Sequence, residues 1–372
     1  MPTLSRRTLL FEAAPLAAIV PRITQTPADT AVARVTDAIF RKDPMPALSV
    51  AAYRGTELAF AQAYGQADLE LGVAATTSHR FRMGSGAKPV TATLAAIMAE
   101  EGAVDLDAGI GRYMPALPQA HHATTLRQLL THRGGIRHYI PRDSDRAAAG
   151  GSIDSRTYFT NADILAVFID DPLIAPPGTR MMYSTFGYTL ASLVLEQAAG
   201  MPFLDLLARK IAAPLGLASL GADAPRRVIP GRVRGYGPAA QVRELPAVDG
   251  VWANAPGNNP AYKWAGGGLV MTPSDFARFG AAHLAPGVLS RRVLDTLFTV
   301  QVPDSAPPLG LGWRINRDSK KRLRWHHAGG QDGARSSLVV YPEAQLSIAF
   351  ASNATGTPGD VLTPSELLAD AL

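Results

Sequence analysis

The sequence predicts an α+β fold: an antiparallel sheet flanked by helices, joined to a mainly helical lobe, with a cleft between them. Three observations predict it. Two strand-like runs come early, at Leu48 to Tyr53 and Leu58 to Tyr64, around the turn Arg54-Gly55-Thr56-Glu57. Helix-period segments fill the middle, and four strand-like runs close the chain. The early hairpin pairs most simply with the late strands, so the chain leaves the sheet, builds the helical lobe and returns.

The elements follow in order. Ala28 to Phe40 reads as a first helix with Val32, Val35 and Ile39 on one face. After the hairpin, a helix opens at Ser85, carries Thr91, Leu94, Ile97 and Met98 in helical register, and stops at Gly102. Pro89 fits there only in the first turn. Short helices follow at Thr125 to Thr131 and at Thr160 to Ile169, the second with Thr160 and Asp163 spaced as a capping box. Phe186 to Ala198 ends at Gly200, and Pro202 to Leu215 is the next helix. Residues 221 to 268 are rich in Gly, Pro and Asn and read as loop with short strands. Thr272-Pro273-Ser274-Asp275 starts another helix, with a Thr cap, a first-position Pro and an acid in the first turn. Ser290 to Phe298 is helical. Strands are expected at Gly310 to Ile315, Leu323 to His327, Ser336 to Tyr341 and Leu346 to Ser352, before a closing helix at Ser365 to Leu372. The expected organisation is a sheet lobe of residues 29–75 and 265–372 around a mainly helical lobe of residues 76–264.

The chain has 372 residues, is 47% hydrophobic and 18% charged, and carries a net charge of +5. That supports a large core. No basic run is interleaved with aromatics, so nucleic acid is not an expected partner. Lys320-Lys321-Arg322-Leu323-Arg324 reads as a solvated sheet edge. Cysteine is absent, which excludes disulfides, thiol nucleophiles and thiolate metal sites. There is no His-Glu-x-x-His, calcium loop, Gly-x-Ser-x-Gly or phosphate-cradling loop, so neither metal nor cofactor is expected. Residues 1–28 carry Arg6-Arg7 ahead of an apolar run to about Val20, too short to span a bilayer. This resembles a twin-arginine export signal and favours a periplasmic or secreted protein, with a cytoplasmic one as the alternative.

The chemistry begins at Ser85-Gly86-Ala87-Lys88. A spacing of three stacks two side chains one helical turn apart. A serine hydroxyl needs a base beside it, and a lysine can be that base only when held neutral, below its free pKa of about 10.4. A helix start also offers free N–H groups and a positive dipole end to a developing oxyanion. Tyr183-Ser184-Thr185 lies just before a helix, where a tyrosine can act as acid or base if cations stabilise its phenolate. His327-Ala328-Gly329-Gly330 ends one expected strand and borders the next, and its glycines let backbone approach a ligand. His326 should face the opposite side of the strand.

These three groups, in this order, resemble the serine β-lactamase-related family of penicillin-recognising hydrolases, which includes class C β-lactamases, D-alanyl-D-alanine carboxypeptidases and esterases of the same fold. Phe81 to Lys88 looks like the family's nucleophile segment, Tyr183-Ser184-Thr185 like its Tyr-x-Asn, and His327-Ala328-Gly329 like its Lys-Thr-Gly or His-x-Gly. Leu129-Leu130-Thr131-His132, Pro177-Gly178 and Gly266-Gly267-Gly268-Leu269 extend the likeness over about residues 45 to 355. Gly135-Ile136-Arg137-His138-Tyr139 and Tyr183 to Tyr188 look closer still to the mitochondrial serine β-lactamase-like branch, regarded as peptidases, and its bacterial relatives.

The resemblance implies a β-lactamase/transpeptidase-like fold and catalytic roles for Ser85, Lys88 and Tyr183. Ser85 would be the acylated nucleophile, Lys88 its activator, and Tyr183 a partner base and then acid. His327 would orient a substrate carbonyl or carboxylate. Gly329, Gly330 and Thr185 would complete the substrate and oxyanion contacts, with the backbone N–H groups of Ser85 and Gly330 as the oxyanion hole. Thr185 stands where the family has Asn and lacks an amide. His327 stands where Lys is usual and lacks a permanent charge. Both departures place a peptidase or esterase, acting on a peptide or small-molecule amide or ester, ahead of a β-lactamase or D-alanyl-D-alanine carboxypeptidase. A non-catalytic binding or scaffold protein of the same fold is the alternative from another class.

Overall fold

The computed structural model describes residues 27–43, 45–145, 151–241 and 251–372; the twin-arginine segment lies outside them. The first helix, α1 (Pro27–Lys42), precedes the hairpin of β1 (Ala47–Arg54) and β2 (Glu57–Asp68), with a short β3 (Val73–Ala74) against β2. Helix α2 (Lys88–Glu100) follows, and α3 (Thr185–Ala199) is the other long helix of the middle region. Helix α4 (Pro273–Ala282) leads back to the sheet, completed by β4 (Arg314–Arg317), β5 (Leu323–Gln331), β6 (Ala334–Tyr341) and β7 (Leu346–Ser352), with α5 (Thr363–Ala371) last. The seven strands lie in the order β3-β2-β1-β7-β6-β5-β4, each neighbouring pair antiparallel, so the early hairpin joins the late strands through β1 and β7.

Strand alternation builds a core on each side of the sheet. Leu48, Val50 and Ala52 turn with Ile348 and Phe350 toward Val32 and Ile39 of α1 and Leu368 of α5. Ala47 and Ala51 turn with Ala349 and Ala351 toward Phe276 and Phe279 of α4, continuous with the core of the helical region. Small residues on that face bring α4 close. Gly280 sits over β6 and β7, where a Cβ would lie 2.2 Å from Ser347 Oγ and 2.9 Å from both Leu338 and Val340.

Local signals hold at most helix starts. Thr125 and Thr160 form capping boxes, Thr272 and Ser290 cap their helices through their side chains, and Gly200 closes α3 in the left-handed region at φ 62°. Several boundaries differ. Ser85 does not open the α-helix: Gly84–Ala87 form a 3-10 turn, and α2 starts at Lys88 with Pro89 in its first turn. The strand expected at Gly310 to Ile315 is Arg314–Arg317, because Gly310 N–H donates to Trp313 O and Gly312 turns at φ 76°. The strand expected to end at His327 runs through both glycines to Gln331, and the hairpin turns at Asp332-Gly333. The helix expected over Pro202 to Leu215 is interrupted by a π-turn at Ala208–Ala212. The expected solvated edge at residues 320–324 is stitched down instead: Arg324, buried, pairs with Glu366 at 2.6 Å, and Arg322 pairs with Asp318 and Asp370. Among the described residues no single helix is long and apolar enough to cross a membrane.

Gly280→Ala tests the α4–sheet contact. Alanine favours the helix by about 1 kcal/mol, whereas overpacking a filled core costs about 1–3 kcal/mol. We expect the clash to win and the urea midpoint to fall, and a raised midpoint would show that α4 can lift off the sheet freely.

Candidate active site

Gly84 makes the turn that presents Ser85. Its φ of 49° is left-handed, and a Cβ there would lie 2.8 Å from Gly330 N, so the turn packs directly on β5. From the other side, a Cβ on Gly329 would lie 1.9 Å from Met83 O. Ser336 of β6 donates its hydroxyl to Met83 O at 2.6 Å, fixing the same turn. The glycines therefore let a strand and a helical turn touch backbone to backbone.

Three side chains converge. Lys88 Nζ lies 3.2 Å from Ser85 Oγ, and Tyr183 OH lies 2.8 Å from the same oxygen. Lys88 is fully buried, and no ion pair among the described residues includes it. Its other contacts are Gly266 O at 2.6 Å and Thr185 Oγ1 at 3.4 Å. Burial holds the amine below its ordinary value of 10.5, Arg314 pushes the same way, and Tyr183 partly opposes them. Nζ is within donating distance of three oxygens, Gly266 O, Thr185 Oγ1 and Ser85 Oγ. Burial favours the neutral amine, and in that form its lone pair can face the Ser85 hydroxyl. A Cβ on Gly266 would lie 2.8 Å from Thr185 Cγ2, which explains a residue without a side chain there.

The structure places Thr185 behind the site, buried and bonded to Lys88, and not among the residues that line the cleft. The cleft holds about 480 Å³ and is lined by Ser85, Tyr183, His327, Gly329, Gly330 and Arg314, among others. His327 is buried, and its Nδ1 lies 2.7 Å from Ala328 O. Burial, with Lys88 and Arg314 nearby, holds this histidine well below 6.5, so the ring is neutral at pH 7. A neutral ring that donates Nδ1–H to a carbonyl keeps Nε2 as an acceptor. His327 is thus arranged to receive an N–H, which differs from the expected role of holding a carbonyl or carboxylate. His326 is buried elsewhere, with neither ring nitrogen hydrogen-bonded.

Two arginines line the cleft, Arg314 and Arg335, and sequence reasoning missed both. Arg335 donates to Pro358 O and Gly359 O, whereas Arg314 lines the cleft without an ion pair or side-chain hydrogen bond among the described residues. Nothing in the local pattern marks either among 36 basic residues. The backbone supplies donors. In a two-residue hairpin Gln331 and Ala334 form the closing hydrogen-bonded pair, so the next residue, Gly330, turns its N–H away from β6. β4 pairs with β5 only as far as His326, which leaves that N–H on an uncovered edge beside the Ser85 turn.

The model of the Beta-lactamase family matches residues 32–372. The chain is similar to the human mitochondrial serine beta-lactamase-like protein LACTB, 26% identical over 76% of this chain and 66% of that protein; the chain thus spans about two thirds of its length. It is similar to the esterase EstB of Burkholderia gladioli, 26% identical over 72% of this chain and 73% of that one. Among solved structures, the D-amino acid amidase of Ochrobactrum anthropi SV3 superimposes with a TM-score of 0.78 at 25% identity, covering 93% of this chain and 98% of the other. The fold is the β-lactamase/transpeptidase-like one.

The buried amine should be visible in stability. Lys88 holds its proton less tightly in the folded protein than in the unfolded chain, which titrates near 10.5. Between those two pKa values the unfolded chain binds the extra proton, so this group's contribution to stability rises with pH across that window. The unfolding free energy of wild type minus that of Lys88→Met should therefore become more positive as pH rises toward 10.5; a constant difference would mean an ordinary, solvated lysine.

Proposed function

Since this chain belongs to the Beta-lactamase family, we propose that it is a serine hydrolase that forms an acyl-enzyme at Ser85 on a peptide amide or an ester. The observation that carries this reading is the approach of Lys88 Nζ and Tyr183 OH to one hydroxyl at the floor of a cleft. Lys88 takes the Ser85 proton as Oγ attacks the substrate carbonyl. The tetrahedral oxyanion lies against the Ser85 and Gly330 N–H groups, each worth about 10²–10³ in rate in comparable sites. Tyr183, within reach of the same oxygen, passes a proton to the departing amine or alcohol. Water then enters by the reverse path, activated by the same pair, and releases the acid. Burial of Lys88 without a counter-charge among the described residues favours its uncharged state, which is what the first proton transfer needs.

Substrate class follows from the two groups that flank the reacting serine. His327 Nε2 accepts an N–H, which suits an amide nitrogen. Arg314 offers a guanidinium without an ion pair among the described residues, which suits a carboxylate. This favours short peptides or acyl amides with a free carboxylate, and it returns weight to the carboxypeptidase and β-lactamase readings, whose substrates carry one.

Ser85→Ala should abolish labelling by a fluorophosphonate and hydrolysis of activated esters, and Tyr183→Phe should slow turnover by about 10²–10⁴. Full resistance of the wild-type protein to the probe, with no turnover of amides or esters, would favour a non-catalytic scaffold. Arg314→Ala should raise KM about 10- to 100-fold for peptides ending in a carboxylate, leaving the matching carboxamides nearly unchanged; equal effects on both would remove the carboxylate assignment.

A further inference from the structure

His132 grips the chain on both sides of Tyr183. Its carbonyl accepts the Met182 N–H at 2.7 Å, and its Nδ1 accepts the Ser184 N–H at 3.2 Å. Its ring lies against the Tyr183 ring with centroids 4.3 Å apart, and against the buried Tyr188 at 5.3 Å. The residue is itself held in a demanding backbone conformation, φ 60°, which non-glycine residues seldom adopt. Its ring is buried, and Lys88, His327, Arg314 and His138 surround it with positive or potentially positive charge. A protonated ring would lose its acceptor and face those groups, so the neutral form is the one that fits.

A second histidine supports the next residue. His138 Nδ1 accepts the Thr185 N–H at 3.4 Å, and its ring meets the edge of Tyr183 at 5.4 Å. Ser184 completes the local frame by donating its hydroxyl to Arg137 O and accepting the Gly187 N–H at the start of α3. The backbone of Tyr183 therefore hangs between Met182 and Ser184, both tied to one side chain and carbonyl. Its phenol then reaches Ser85 Oγ at 2.8 Å, with Lys88 Nζ also close to its ring at 4.9 Å.

We propose that His132 is a positioning residue for the reaction: its Nδ1 and carbonyl clamp residues 182 and 184 so that the Tyr183 hydroxyl is held on Ser85 Oγ. The proposal rests on the catalytic reading of Tyr183 given above. It concerns a group that touches neither substrate nor the reacting atoms and acts only through the tyrosine.

Two substitutions separate the clamp from plain packing. His132→Phe keeps a ring against Tyr183 and removes the acceptor. His132→Asn removes the ring but keeps a side-chain oxygen near the Nδ1 position, and asparagine tolerates positive φ. Acyl-enzyme formation from a saturating ethyl ester, whose departing alkoxide takes the Tyr183 proton, is measured per folded site, with circular dichroism setting the folded fraction. The clamp predicts that Phe slows acylation roughly 10²-fold, the scale of a misplaced catalytic group, and that Asn stays within a few-fold of wild type. The reverse order would overturn it in favour of ring packing.

The same measurement in the Tyr183→Phe background isolates the route. There, His132→Phe should cost little further, because the residue it positions has already lost its hydroxyl. A full additional 10²-fold loss would overturn the proposal while leaving Tyr183 catalytic. Unchanged acylation in Tyr183→Phe alone would instead overturn the reading of the tyrosine. If His132→Phe does not fold, the Asn variant decides: a loss near 10²-fold in properly folded His132→Asn rejects the acceptor clamp.

Discussion

A lysine removed completely from water, with carbonyl and hydroxyl oxygens around it and no paired carboxylate among the described residues, is the constraint on which this architecture turns. Burying an ammonium without a counter-charge is so unfavourable that the group gives up its proton more readily. The protein satisfies the amine by converging three segments on it: the turn that carries Ser85, the start of α3 with Thr185, and the short helix ending in Gly266 and Gly267. None of the three is near another in sequence. Each is held by the surrounding core, in which Lys88 ranks among the largest fully buried side chains.

Glycines make that convergence possible. Gly84, Gly266 and Gly329 each stand where a Cβ would strike backbone or a buried side chain within 3 Å. Their absent side chains let β5 lie on the Ser85 turn and the Gly266 carbonyl reach Nζ. The strand and the turn together then leave N–H groups along one uncovered edge. The physical content of the site is close backbone packing, and the side-chain chemistry is mounted on it.

The groups proposed to set specificity are built differently from those proposed to react. Ser85, Lys88 and Tyr183 are bonded to each other and to rigid elements. Arg314 projects from a short strand at the sheet's edge and has no ion-pair partner among the described residues. His327 uses one ring nitrogen on its own chain and leaves the other to a ligand. A reacting centre that is fully satisfied and a rim that is not is the arrangement expected where a ligand completes the bonding.

Local rules carried far in this chain. The helix starts at Thr125, Thr160, Thr272 and Ser290 were legible because a cap is a contact between residues three apart. The hairpin and the late strands were legible from alternation, and the Ser85–Lys88 pair from helical spacing, even though the serine proved to lie in a 3-10 turn ahead of the helix. What resembled a turn at Gly329-Gly330 became strand, because these glycines answer to Gly84 and Met83 some 245 residues away. Arg314 gave no signal, since an unpaired arginine is defined by what surrounds it. His132 was visible only as part of the Leu129-Leu130-Thr131-His132 segment that carries the family likeness, and its grip on Met182 and Ser184 spans about fifty residues. The chain by itself thus determined which residues are neighbours within a turn or along a strand, because covalent spacing and backbone period set those distances. Only the folded packing decided which amine loses its solvent, which cation goes without a partner and which ring holds the tyrosine, because desolvation and long-range contact exist only once distant segments close around them.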